Sequence, residues 1–263
     1  GADYQDLADA LYQACQNLIG SEKDNPLSIL RTQELLAARK IDGAEQFFTR
    51  AVDFGYSKSA NESLLKWDEQ KILADMVWII RSIRPDVIIN RFTPDRGGHG
   101  HHTASAILSQ KAFVAAADPE QFTEQLSLVQ PWQAKRLVWN GWMQEQANTD
   151  SSGNPITKID MGEFNPLLGK SYMEIAAMAR SMHKSQGFGS AAMHGSFLNY
   201  FLHTAGVPAQ NDLFDGIDLS WNRVPDGEKI GQLLTGLEQK FNPARPDQIL
   251  PELLAAYELM KKH

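Results

Sequence analysis

The chain of 263 residues contains a single cysteine, Cys15, which excludes an internal disulfide and any cysteine-rich zinc module. No apolar run approaches the ~20 residues that a membrane helix needs, so we predict no membrane span. Basic residues are also scarce: 25 Lys and Arg stand against 32 Asp and Glu, for a net charge of -7. This acidic balance argues against a nucleic-acid partner, because binding to phosphates needs clustered basic side chains.

The composition is otherwise that of a globular protein, with 43% hydrophobic residues, and its periodicity predicts alternating helices and strands. Strands are predicted at Phe47–Phe54, Val87–Ile89, Leu137–Trp139 and Ile156–Met161. Helices are predicted over residues 3–18, 26–40, 60–84, 103–117, 170–187 and 251–262. The apolar run Val87-Ile88-Ile89 is typical of a strand buried on both faces. The pattern predicts an α/β fold in which helices cover both faces of a mostly parallel sheet.

Three of the seven histidines, His99, His101 and His102, lie in a glycine-rich loop after the strand Val87–Ile89. Loops at the carboxyl ends of strands carry the ligand sites of open α/β sheets. Neutral imidazole is a common metal ligand that zinc accepts, and the glycines allow turns that would bring His99 and His102 around one centre. We therefore predict metal binding here, with a solvated loop as the alternative. One loop cannot complete a catalytic zinc site, which usually has three protein ligands.

Three further positions carry weaker signals. His183 and Gln186 follow an amphipathic helix, where they could face a pocket or cap the helix end. Arg31 and Glu34 are three residues apart on a helix, a spacing that usually indicates a surface ion pair. Asp53 ends a predicted strand, where it could form part of a site or belong to a turn.

Several segments together resemble the LmbE-like (PIG-L) deacetylases, and most closely a bacterial branch of that family. They are residues 16–22, 29–39, 99–102, 181–186 and 214–218. The resemblance covers nearly everything from about Gln16 onward. It implies one domain over residues 1–263, a Rossmann-like fold, and zinc-dependent removal of an acetyl group from an amine. The implied partner is an N-acetylated sugar or glycoconjugate, typically with an N-acetylglucosamine unit.

The resemblance also implies roles for five residues. His102 matches the third zinc ligand of the family, and His99 matches the residue that stabilises the tetrahedral oxyanion. Arg31 and Asp53 stand where relatives contact the substrate sugar. His183 stands in a motif near the pocket, which implies a role in substrate binding.

The chain departs from the family at its beginning. No His-Pro-Asp-Asp-Glu motif occurs in these 263 residues, although the resemblance places it after a first strand upstream of Gln16. That motif supplies two zinc ligands and the aspartate general base, so the zinc site is predicted to be incomplete. Residues 1–15 instead predict a divergent helix. Because the first strand of a doubly wound fold is central, its loss or replacement would leave a gap in the sheet and expose its neighbours.

Three interpretations of function stay open at this point. The first is a zinc-dependent deacetylase of an N-acetylated sugar, represented by an incomplete chain. The second is a catalytically inactive remnant that acts as a carbohydrate-binding module. The third is weak metal binding by His99, His101 and His102 without chemistry. The chain starts at Gly1, so we expect any signal peptide to have been removed, and a periplasmic or secreted location is favoured.

Overall fold

A computed structural model of the protein describes residues 17–22, 24–95, 98–141, 148–187 and 189–262. The described helices are α1 (Asp24–Asp42), α2 (Ala60–Trp67), α3 (Glu69–Ile83), α4 (Gly100–Ala115), α5 (Tyr172–Arg180), α6 (Glu228–Lys240) and α7 (Leu250–Met260). The described strands are β1 (Val87–Asn90), β2 (Arg136–Gly141), β3 (Thr157–Asp160), β4 (Phe164–Asn165), β5 (Lys170–Ser171) and β6 (Leu198–Gly206). The helix predicted for residues 1–15 lies outside the described residues.

Four of these strands form an open sheet in the order β1-β2-β6-β3. β1 pairs with β2 in parallel, whereas β6 is antiparallel to both β2 and β3. The prediction of an α/β protein with an open sheet and helices is thus confirmed, but the sheet is mixed rather than mostly parallel, because only one of its three described strand pairs is parallel. The strands predicted near residues 87, 137 and 156 are also confirmed, but β6 was not predicted.

The strand predicted over Phe47–Phe54 is wrong, because these residues form neither strand nor helix. A strand needs a hydrogen-bonded neighbour, and none of the described strands pairs with this segment. Contacts to helices hold it instead. Arg50 binds Asp75 through two side-chain nitrogens and its backbone N–H, and Trp67 Nε1 donates to the Val52 carbonyl at 2.8 Å.

The prediction that β1 is buried on both faces is also wrong. Among the described residues β1 pairs only with β2, so it lies at an edge of the sheet. Ile89, the last residue of the apolar run, is 50% exposed. The sequence of β1 is as hydrophobic as that of an interior strand, but β1 lies at an edge of the described sheet.

The predicted helix after Ser59 is interrupted. The Ser59 side chain accepts the Glu62 N–H at 3.2 Å and caps α2, as the spacing of the two residues predicts. Asp68 then takes a positive φ of 62°, which ends α2 and separates it from α3. The kink lets α3 pack on α4 through a core that includes Ile72, Val77 and Leu108. This core fixes the position of α4, whose first turn carries the histidines.

The chain divides into two compact units, Gly1–Phe164 with Lys170–Leu213, and Asn165–Gly169 with Phe214–His263. The second unit contains α6, which was not predicted, and α7, which confirms the predicted C-terminal helix. Ile230 and Leu237 of α6 and Ala256 of α7 are buried. Within the described part of the chain, none of the helices combines the length and hydropathy of a membrane span.

Candidate functional site

The histidine cluster lies where β1 leads into α4. His99 is the N-cap residue of α4, with an extended backbone, and its Nδ1 accepts the backbone N–H of His101 at 3.1 Å. A nitrogen that accepts a hydrogen bond carries no proton in the neutral ring. The proton of neutral His99 is therefore on Nε2, which becomes a hydrogen-bond donor. The helix predicted from Thr103 thus begins earlier, at Gly100, because His99 caps it.

The three imidazoles lie side by side, each against a different aromatic neighbour. The ring centre of His99 is 4.5 Å from that of His101 and 5.1 Å from that of His102. His101 stacks on Trp67 at 4.8 Å, and its Nε2 is buried without a hydrogen-bond partner among the described residues. The ring of His102 stacks on that of Phe92, with ring centres 3.8 Å apart and the two ring planes almost parallel. The loop therefore holds the histidines together through aromatic packing.

Burial lowers the pKa of His99, the neighbouring His102 lowers it further, and Asp53 acts in the opposite direction. Burial likewise lowers the pKa of His101, with an additional contribution from His99. Both rings are therefore neutral at pH 7, the state in which imidazole binds metals and donates one hydrogen bond.

The described residues do not form a complete zinc site. No group of three His, Cys, Asp or Glu side chains in the described part of the chain is placed to hold one metal ion. His101 is confined between aromatic rings and Nδ1 of His99 is occupied, so few imidazole nitrogens are left to share an ion. A catalytic zinc usually needs three protein ligands, and these residues alone do not meet that requirement.

An ion pair lies beside the histidines. Arg31 Nη1 of α1 is 3.7 Å from Asp53 Oδ2, although Arg31 and Asp53 are far apart in sequence. Asp53 also accepts the Gly55 N–H at 2.9 Å, which orients its carboxylate. Because Asp53 acts on the pKa values of His99 and His101, the structure brings four of the predicted site residues and His101 into one region.

His183 lies apart from this group. Its Nδ1 is 3.4 Å from Gln186 Nε2, which is its hydrogen-bond partner among the described residues. Both side chains line a cavity of about 420 Å³ together with Arg39, Asp42 and Arg180. A substrate role for His183 stays a prediction, and no described contact joins it to the histidine cluster.

The interpretation of Arg31 and Glu34 as a surface ion pair is wrong, because Glu34 is buried. Its carboxylate accepts the backbone N–H of Ser185 at 2.6 Å and the Ser185 hydroxyl at 2.7 Å. Ser185 is fully buried and also accepts the Leu18 N–H through its carbonyl oxygen. The sequence analysis did not predict these two hydrogen bonds, although Ser185 lies between His183 and Gln186. The hydrogen bonds from Ser185 to Glu34, which we call the Glu34–Ser185 clamp, attach the turn that carries His183 and Gln186 to α1.

Comparisons with known proteins add no relative: no protein-family model matches the chain, and no curated protein matches it either. The assignment to the LmbE-like family is therefore a proposal that rests on the motifs and on the site geometry.

Proposed function

We propose that this protein belongs to the LmbE-like (PIG-L) hydrolases and that its site serves removal of an acetyl group from an N-acetylated sugar of the N-acetylglucosamine type. The observation that carries the proposal is the pair His99 and His102, with ring centres 5.1 Å apart at the carboxyl end of β1. The Arg31–Asp53 pair lies beside it. The carboxyl end of a strand is where α/β proteins place ligand sites.

The protonation of His99 supports its role as oxyanion stabiliser. Because the His101 N–H occupies Nδ1, neutral His99 offers an Nε2–H donor, which suits a developing oxyanion. His102 is exposed and is the better candidate for the metal ligand. Its zinc would need further ligands from outside the described residues.

The Arg31–Asp53 pair suits a sugar because hydroxyl groups both donate and accept hydrogen bonds. The guanidinium group of Arg31 offers only donors, and the carboxylate of Asp53 offers only acceptors. Asp53 is 52% exposed, so a ligand can reach it. One sugar hydroxyl bridging the two groups would satisfy both.

The fold features agree with a Rossmann-like sheet whose first strand is missing or replaced. β1 pairs on one side only among the described residues, and Ile89 at this edge is half-exposed. The Phe47–Phe54 segment has the composition of a strand without a described strand beside it, and Phe48 is 54% exposed. A further strand beside β1 would pair with its open backbone edge, which is what the proposed family fold requires.

The test is amine release from N-acetylglucosamine conjugates by the zinc-supplemented protein. We expect His102→Ala to abolish release, and His99→Ala to lower kcat by about 100- to 1,000-fold, as loss of an oxyanion donor does. His194→Ala is the matched control, because His194 is mostly exposed and its ring faces Glu174. Release that persists unchanged in His102→Ala would overturn the proposal.

The second candidate function is a carbohydrate-binding module without hydrolysis. The incomplete ligand set in the described part of the chain favours it. It predicts that the folded protein binds N-acetylglucosamine, that Asp53→Asn weakens this binding, and that no amine is released with zinc present. Calorimetric titration with N-acetylglucosamine beside the release assay separates the two functions.

A further inference from the structure

A cavity of about 430 Å³ lies at the ends of the central strands, in the size range of small-ligand pockets. β6 is antiparallel to β2, so Tyr200 near its start pairs with Gly141 at the end of β2. Gly141, Tyr200 and Arg91, which directly follows β1, line one side of the cavity, and α5 lines the other. The cavity therefore opens at the carboxyl ends of a parallel strand pair, the usual location of a ligand site.

Two arginines contribute positive charge to this cavity. Arg91 Nη1 donates to the Asn140 carbonyl at 3.1 Å and to Asn140 Oδ1, which holds its guanidinium at the end of β1. Arg180 ends α5 and also lines the neighbouring cavity of His183. The described residues that line the cavity include no Asp or Glu. The described part of the lining is therefore electropositive.

The remaining polar groups of the lining include one further donor. Asn140 Nδ2 donates to Asn199 Oδ1 at 3.0 Å, which leaves Asn199 Nδ2 as a donor. Tyr200 also lines the cavity, but its hydroxyl is buried, so its ring bounds the site and its hydroxyl does not enter it.

We propose that this cavity binds the anionic oxygens of a small ligand, a carboxylate or a phosphate, through Arg91, Arg180 and Asn199. Guanidinium groups form their strongest hydrogen bonds with these oxygens, and the amide N–H of Asn199 adds a further donor. The site concerns binding alone. It holds whether or not the histidine cluster supports hydrolysis.

The test is calorimetric titration of the full chain with inorganic phosphate, glucuronate and neutral glucose. We expect phosphate or glucuronate to bind and glucose to bind far more weakly, and the preferred anion identifies the source. Arg180→Gln should weaken anion binding by about 10- to 100-fold, and Arg180→Lys by less, because lysine keeps the charge but loses the planar fork. Arg245→Gln, in an exposed pair with Asp247, is the matched control and should leave binding unchanged.

Arg91→Gln gives a second test of the ligand contact. It should also weaken anion binding by about 10- to 100-fold, and circular dichroism of the free protein shows whether the variant folds. Equal binding of glucose and the anions would overturn the proposal. Absence of binding, or unchanged affinity in both Arg180→Gln and Arg91→Gln, would overturn it as well. Loss of deacetylase activity would not bear on it.

Discussion

Arg81 of α3 offers the sharpest test of how the fold holds α4 in place. Its side chain is 1% exposed, and burial lowers its pKa, yet arginine stays charged. The guanidinium donates hydrogen bonds of 2.8–3.3 Å to oxygens at the end of α4 and in the segment after it. These are the carbonyls of Ala115, Ala116, Asp118, Gln121 and Phe122, and Oε1 of Gln125. Arg81 thus neutralises the negative end of the helix that carries the histidines at its other end.

We expect Arg81→Met to lower the free energy of unfolding by about 3–5 kcal/mol. Methionine keeps much of the apolar packing, but the oxygens lose a charged donor and are left buried, which costs about 1–3 kcal/mol for each unsatisfied group. These costs do not add fully, because the loop can relax and admit water. The net figure therefore matches that for removing one partner of a buried charged network.

Urea denaturation followed by circular dichroism measures this loss, and thermal unfolding should show a midpoint lowered by roughly 10 °C. Arg81→Lys should fall between the wild type and Arg81→Met, because an ammonium group cannot reach the same set of oxygens. Arg50→Met is the control: Arg50 is exposed and pairs with Asp75 at the surface, so this variant should lose far less stability than Arg81→Met. A loss below about 1 kcal/mol in Arg81→Met would refute the reasoning.

Three further predictions follow from described contacts. The Arg50 guanidinium lowers the pKa of Asp75, so the carboxylate stabilises the fold above its unfolded pKa, and this contribution is lost as pH falls through the lowered native pKa. The stability difference between wild type and Asp75→Asn, about 1 kcal/mol at pH 7, should therefore begin to shrink below about pH 4 in acid denaturant titrations and vanish below the lowered native pKa, and a constant difference would contradict it. Glu34→Gln should cost about 2 kcal/mol, and a double-mutant cycle with Ser185→Ala should show strong coupling; additive losses would disprove the clamp. Gly100→Ala should cost about 1–3 kcal/mol in urea unfolding, because its Cβ would overlap the Ser57 side chain and the Ser59 carbonyl oxygen, and a neutral result would count against that close approach.

Much of the local structure could be predicted from spacing alone. The capping pair Ser59 and Glu62 marked the start of a helix, and the apolar runs marked β1 and β2. These features depend on residues a few positions apart, whose geometry a helix or strand fixes by itself. The strand β6 was not predicted, because the Leu198–Gly206 segment becomes a strand through its hydrogen bonds to β2 and β3, which are distant in sequence.

The candidate site, too, could be predicted from the sequence only in part. His99 and His102 are neighbours because a single helical turn separates them, so their proximity could be predicted. The pairing of Arg31 with Asp53 and of Glu34 with Ser185 could not, because each joins segments that only the folded chain brings together.

The order of amino acids by itself determined where several of the helices form, where the histidines cluster, and how acidic the chain is, since each of these depends on composition or on short-range spacing. Tertiary structure alone decided that Phe47–Phe54 forms no strand, that β1 lies at an edge of the described sheet, and that Arg91 and Tyr200 share a cavity. The physical reason is that a strand, a buried charge or a pocket is defined by its neighbours in space, and those neighbours are distant in sequence.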